Sequence, residues 1–468
     1  MRRLTLVLLV LTVFLACGEG KRQRRTPSAT PQPFAELADA APQRNPVIAK
    51  MLAQVSADSL RALVETLAGF ETRHTFSDTT SERRGIGAAR RWLGRRLLAY
   101  RAACGGRLRV EEDRWTEEVP GFGRATLVNV LATLPAADPA LQSRVVLVCA
   151  HYDSRSAEAR DAITAAPGAN DDGSGVAALL ELVRVLGRYR FEANLVFAAV
   201  AGEEQGLLGS ARLAQMVKDH GWELLGVLSL DMIGNVVGGN GVVDSTSIRC
   251  FSEGVPQVET VADRGLRWRL GSENDSPSRQ LARYAKAQAE TYLDDLRVRL
   301  VFRPDRLGRG GDHLSFNRAG LAAVRFTEAN EHFGRQHQVV RIEQGVQYGD
   351  LPEFVSSSYL TRATKAVGAA VAGLALAPRA VQEVTVDRGH GYDAHLIWRD
   401  PAPMDDLAGY KVYLRETTAP TWQKQVFVRE ATEATITGLC IDDYLFAVAA
   451  VDRDGNESLP VLAVPGQS

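Results

Sequence analysis

Net charge of either sign is scarce in this chain. Lys and Arg number 55 against 56 Asp and Glu, a formal charge of −1. No basic stripe with interleaved aromatics runs along it, so it has no electrostatic footprint for nucleic acid. Cysteine is scarce too: there are five, and no two stand in a C-x-x-C pair, which removes metal-type cysteine pairing. Long hydrophobic runs are nearly absent. The one clear stretch, "LTLVLLVLTVFLA" at 4–16, is too short for a comfortable membrane span. There is no internal repeat, and no low-complexity block outside the N-terminal region.

What remains is an ordinary globular mix, 45% hydrophobic and 24% charged over 468 residues, enough for roughly two or three domains of ~150 residues. The N-terminus stands apart. A basic "MRR" leads into the apolar stretch, Cys17 follows at once, and "GEGKRQRRTPSATPQPFAE" continues as polar, proline-containing chain. Residues 1–17 resemble a bacterial lipoprotein signal, cleaved before a cysteine that becomes lipidated, although Phe14 stands where leucine is usual. A plain secretory signal is the alternative. Either implies export: to the cell envelope (outer membrane or periplasm) through an N-terminal lipid anchor in the membrane, or to the medium. Residues 18–40 read as a flexible tether. Export permits a disulfide among Cys104, Cys149, Cys250 and Cys440, but the pairing is not readable. Cys149, inside "RVVLVCAH", reads as a buried thiol.

Apolar spacing of three and four predicts helices over 47–70 and 81–103, separated by the polar loop "ETRHTFSDTT". Strands are expected at "ATLVNVLATL", "SRVVLVCAH", "EANLVFAAVAG", "LLGVLSLD" and "LAAVRFTE". Helices over 174–187 and "GSARLAQMVKDHG" alternate with them, and "SSSYLTRATKAVGAAVAGLALA" closes the unit near 377. The alternation predicts an α/β fold, a mixed and mostly parallel sheet flanked by helices, over 41–377.

Three of the strands run straight into residues able to bind a metal. "VVLVCAHYDS" reaches His151 and Asp153, "NLVFAAVAGEEQGLLGS" reaches Glu203 and Glu204, and "GVLSLDMIG" reaches Asp231. In open α/β sheets, sites form beyond the carboxyl ends of the strands. Asp171, beside Asp172 in the tight loop "PGANDDGSG" at the start of the 174–187 helix, would join them there. One such residue is ordinarily a turn or cap. Together, several carboxylates would repel unless a cation sits among them. Histidine with carboxylates suits zinc, and a carboxylate can bridge two metals about 3.5–4 Å apart.

"AHYDS", "PGANDDGSG", "AGEEQGLLGS" and "LSLDMIG" resemble, in order and approximate spacing, the M28 family of co-catalytic zinc peptidases, mostly aminopeptidases. The resemblance spans 130–335. It implies two zinc ions per chain and a peptide substrate. His151 and Asp231 would bind one zinc, Glu204 the other, and Asp171 would bridge both. The peptide after the bridging aspartate is often cis in the family. Glu203 would be the general base, and Asp153 would orient His151 from behind.

The last ligand should be a histidine far downstream: His313, His332 or His337. "GGDHLSFNRAGLAAVRFTE" resembles the family's Ser-Asp-His segment, with Gly311 in place of serine. It precedes the last strand, whereas the family ligand follows that strand, in "NEHFGRQHQVVR". His337 fits best, with His332 as the alternative. Gln336 stands where the family often has a tyrosine as oxyanion donor, and Tyr348 is a candidate substitute. Residues 235–310 read as an insertion that shapes the substrate pocket, where Glu273 or Asp275 could hold a free α-amine or simply be solvated.

After Pro378 the pattern changes to short strands with turn signals. Trp398, Tyr410, Leu439 and "YLFAVAAVDRDGNES" resemble a fibronectin type III domain, an all-β immunoglobulin-like sandwich, over 379–468. It carries no catalytic constellation and reads as a spacer, or as a binder of a surface polymer or protein. The enzyme alternatives are a single-zinc glutaminyl cyclase and a carboxypeptidase of the same family. The non-enzyme alternative is a binding protein like the transferrin receptor, but such relatives lose ligands or the base, and none is visibly lost here.

Overall fold

The computed structural model describes residues 30–387, 391–400 and 405–466. The expected signal and Cys17 lie outside the described residues.

An eight-stranded sheet organises the larger unit. Its four middle strands, Asn194–Val200, Arg144–His151, Glu223–Leu230 and Ala323–Glu328, are parallel. All eight residues of Arg144–His151 are buried, which is why this strand reads as an unbroken apolar run. The antiparallel strand Gly123–Leu134 and its partner Arg109–Val119 extend one side. Ser247–Ser252 and Arg297–Val301 extend the other. The nearly all-buried helix Gly173–Leu186 lies against the His151 strand and against helices Ala57–Ala68 and Ser357–Leu376. Among the described residues no helix is long and apolar enough to cross a membrane.

Several local expectations change. The helix expected over 47–70 is two helices, Pro46–Leu52 and Ala57–Ala68. Ser56 restarts the second by accepting the Ser59 amide at 3.2 Å. Residues 235–310 are not only a pocket-shaping insertion, since they supply two strands to the sheet and the helices Val261–Leu270 and Pro277–Tyr292. The polar loop after the second helix is internal: Arg73 and His74 are fully buried.

The C-terminal residues form two five-stranded sheets around a separate apolar core. Trp398 and Tyr410 meet there edge-on, with ring centroids 5.2 Å apart, and Leu439 is buried with them. The segment read as tether contributes to both sheets. Gln32–Pro33 pairs with Glu433–Thr437, and Ala38–Asp39 pairs with Lys424–Val428. Leu37 between them is buried in the same core.

The two units meet through a polar junction. Asp275, fully buried, lies 3.0 Å from Arg283 and 2.6 Å from Arg415 of the C-terminal sheets. The Tyr284 hydroxyl donates to the Glu457 carbonyl at 3.1 Å, and Asn45 donates to Asn456 at 2.8 Å. Asp275 therefore does not serve an α-amine, because two arginines already neutralise it. Glu273 stays exposed. The four remaining cysteines are free thiols, Cys149 buried among them.

Candidate metal centre

The carboxyl ends of the parallel strands bring two triads together. Ligand atoms of His151, Glu203 and Asp231 lie within 4.8 Å of one another, as do those of Asp171, Glu204 and His337. Asp171 stands between the triads. Its Oδ1 is 3.2 Å from His151 Nε2, and its Oδ2 is 3.0 Å from His337 Nε2. His337 Nε2 is also 2.9 Å from Glu204 Oε1. His151 Nε2 lies 3.9 Å from Asp231 Oδ1. His313 is elsewhere, buried against the Pro304 carbonyl at 2.7 Å. His332 lines a small cavity beside Asp171 with Glu328, Arg335 and Asp350.

The loop that carries Asp171 is braced from every side. The Asp171–Asp172 peptide is cis. Asp172 caps the helix Gly173–Leu186 by accepting the Gly175 amide at 3.0 Å, and it also takes the amides of Met232 and His151, both at 3.2 Å. Gly175 must be glycine because a Cβ there would lie 2.4 Å from the Asp172 carboxylate and 2.6 Å from the Leu230 carbonyl. Gly168 has φ +52°, and its Cβ would meet the Asp171 carbonyl at 2.4 Å.

Three supports escaped the sequence reading. Asp350 accepts the amides of Asn170 at 2.9 Å and Asp171 at 2.7 Å. Arg73 donates to the carbonyls of Tyr152, Pro167 and Gly168. Arg325 lies 3.0 Å from Asp231. Asp350 and Arg73 lie outside the quoted motifs; Arg325 lies inside "GGDHLSFNRAGLAAVRFTE", where a charge within an apolar strand was the available signal.

Asp153 does more than expected. Its carboxylate accepts the Glu203 and Glu204 amides at 3.2 and 3.1 Å, which fixes that turn. His151 Nδ1 lies 3.2 Å from its carbonyl and 3.7 Å from its carboxylate. The Gln336 amide donates to Asp171 Oδ2 at 2.9 Å. Tyr348 lies beneath the Arg341 guanidinium.

The electrostatics call for cations. Burial would lower the His337 imidazole, but Glu204 and Asp171 outweigh it and push it up to about 10. Burial is overcome at His151 too, where Glu203, Asp171 and Asp231 raise the ring well above the histidine range. Burial raises the Glu203 carboxyl far above the carboxylate range, with Glu204 and Asp231 adding to it. A metal ion would supply the positive charge these buried carboxylates need, and its binding would be coupled to the loss of protons. Glu204 Oε1 is buried without a hydrogen-bond donor aligned on it. The imidazoles of His151 and His337 with the carboxylates of Asp171, Glu204 and Asp231 form a nitrogen and oxygen donor set that fits zinc.

Comparisons with known proteins agree with this geometry. Peptidase family M28 matches residues 129–340. A "Probable zinc metalloprotease" of Pyricularia oryzae is 41% identical over 431 residues, covering 89% of this chain and 84% of the relative. One from Leptosphaeria maculans is 37% identical over 422 residues, covering 90% and 97%. LapA of Legionella pneumophila superposes with a TM-score of 0.52 at 18% identity, covering 73% of this chain and 79% of its own, a likeness of fold. With both triads and the matching relatives in place, the chain belongs to peptidase family M28 and is a zinc metallopeptidase.

Proposed function

We propose that the protein is a two-zinc aminopeptidase that removes N-terminal residues from peptides. The carrying observation is the position of Asp171, with one carboxylate oxygen toward each imidazole. His151 and Asp231 would hold one ion, Glu204 and His337 the other, and Asp171 both. Two zinc ions here would supply Lewis acidity and a water acidified to near-neutral pKa. Glu203 shares the His151 and Asp231 triad, so it is within reach to take the proton from that water and pass it to the leaving nitrogen. Asp153 fixes the turn that carries Glu203 and Glu204 by binding both their backbone amides. Gln336, bound to Asp171, steadies the bridge, and no tyrosine stands in its place as an oxyanion donor.

The amino-terminal preference rests on the family resemblance. Turnover of aminoacyl chromogenic substrates tests it against the same peptides with a blocked N-terminus or a blocked C-terminus. Cleavage only of free N-termini supports an aminopeptidase. Loss only on C-terminal blocking makes it a carboxypeptidase, and cyclisation of N-terminal glutamine without hydrolysis makes it a glutaminyl cyclase. We read the C-terminal sheets as a fibronectin type III-like domain. We read the whole as an exported protein, anchored through lipidated Cys17 in the cell envelope or secreted. Metabolic labelling with a fatty acid, lost in Cys17→Ser, tests the anchor.

A further inference from the structure

Arg325 lies within the strand Ala323–Glu328 and is fully buried. Its Nη2 is 3.0 Å from Asp231 Oδ2. Its Nη1 donates to the Gly310 carbonyl at 2.7 Å and to Asp305 Oδ2 at 3.1 Å. Asp305 in turn accepts the Arg306 amide at 2.6 Å. The guanidinium is therefore anchored through Nη1, while Nη2 faces Asp231 as an ion pair and no hydrogen bond is aligned on it. Asp231 turns its other oxygen, Oδ1, toward His151.

Among the described residues, the second triad has no fully buried arginine within 4 Å of its carboxylates. Arg155 is the cation nearest its carboxylates, with Nε 3.8 Å from Glu204 Oε2 and the side chain one quarter exposed. Gly311 makes room for the arrangement. A Cβ at that position would lie 3.0 Å from Arg325 Nη1 and 3.3 Å from its Cδ. The serine that the family resemblance places there would crowd the guanidinium.

We propose that Arg325 is a positioning residue that makes the two zinc sites unequal. It lies against Asp231 Oδ2, leaves Oδ1 toward His151, and would set a buried positive charge beside an ion held by His151 and Asp231. This rests on the two-zinc reading. Like charges a few ångströms apart in a buried setting repel strongly. A partner that merely oriented Asp231 would tighten zinc binding. The two roles therefore predict opposite signs when the arginine is removed.

The test is a pair of stepwise zinc affinities, from competition with a chromogenic chelator, together with a zinc count per chain. Three variants are compared with the wild type. Arg325→Met keeps the stem without the charge. Arg325→Met/Asp305→Asn also removes the carboxylate that the first change would leave with Arg306 alone as its arginine partner. Gly311→Ser presses on the guanidinium in place. The inference expects two unequal affinities in the wild type. It expects the weaker to tighten about 10-fold or more in Arg325→Met, the scale of outer-shell effects, with the tighter unchanged. Gly311→Ser should move the same affinity and not the other.

If Arg325→Met does not fold, the double variant and Gly311→Ser carry the reading. A weaker site that is unchanged or loosened in the charge-removing variants overturns the role of Arg325 and leaves the two-zinc reading standing. One zinc in the wild type but two after removal of the charge supports the inference. One zinc in the wild type and in every variant overturns both.

Discussion

Replacing Arg415 with methionine should weaken the whole chain without touching its chemistry. The side chain is fully buried at the junction, with Nη2 2.6 Å from Asp275 Oδ2 and Nη1 donating to the carbonyls of Glu416, Thr417 and Ala419. Removing one partner of a buried pair costs about 3–5 kcal/mol, mostly because the other charge is left behind. Here Asp275 keeps Arg283 at 3.0 Å and the Gln280 amide at 3.0 Å, both on Oδ1, so only Oδ2 is stripped. That places the loss at or below the lower end of that range, ~2–3 kcal/mol. For a chain of this length melting as one unit, Tm should fall by about 2–3 °C. Urea denaturation followed by tryptophan fluorescence and by peptidase activity is the assay. Both probes should shift together, because the junction ties the units into one cooperative fold. Adding Asp275→Asn should recover part of the loss, a positive coupling energy in a double-mutant cycle. An unchanged midpoint, or two strictly additive variants, would refute the view that this pair holds the C-terminal sheets to the enzyme. By the same reasoning, deleting 379–468 exposes Asp275 and Tyr284 and should lower stability even though every proposed ligand remains.

Glu203→Gln should cut turnover by about 10²–10⁴-fold while keeping zinc, whereas Glu204→Gln should lose zinc as well. Near-normal turnover in the first, or metal loss in the first and not the second, reverses the two assignments. Glu253, away from the metal centre, has its carboxyl pushed up to about 7 by burial, and its Oε2 has no hydrogen-bond partner. Its folded pKa stands above the unfolded value, so it penalises folding increasingly from about pH 4.5 to 7. Glu253→Gln should therefore match the wild type in Tm at pH 4.5 and exceed it at pH 8, by ~1–2 kcal/mol after allowance for partial solvation. A gain that is equal at both pH values contradicts the assignment.

The site was legible where chemistry follows directly on an apolar run. His151, Glu203, Glu204 and Asp231 each end or follow a strand buried on both faces, and such strands have no polar alternation to obscure their ends. Asp171 was marked by glycines whose Cβ positions are occupied by backbone and carboxylate. His337 could be placed only by its distance beyond the last strand. The supports were not legible, because each acts through a partner remote in sequence. Asp350 in "QYGDLPEF" looks like a turn residue, Arg73 looks like surface, and Arg325 looks like an oddity in a strand until Asp231 is seen beside it. Arg109–Val119 was missed because it is a charged edge strand. Residues 30–39 were read as tether because two-residue strands leave no periodicity, and their order comes entirely from the sheets they join.

The central claim, two zinc ions sharing Asp171, is tested most directly by counting metal. Zinc per chain is measured by mass spectrometry after dialysis against metal-free buffer, in the wild type, Asp171→Asn and His337→Ala. Two zinc ions in the wild type, loss of both in Asp171→Asn and loss of one in His337→Ala are the predicted results. A single zinc in the wild type, or an Asp171→Asn variant that loses no more zinc than His337→Ala, would contradict the shared bridge.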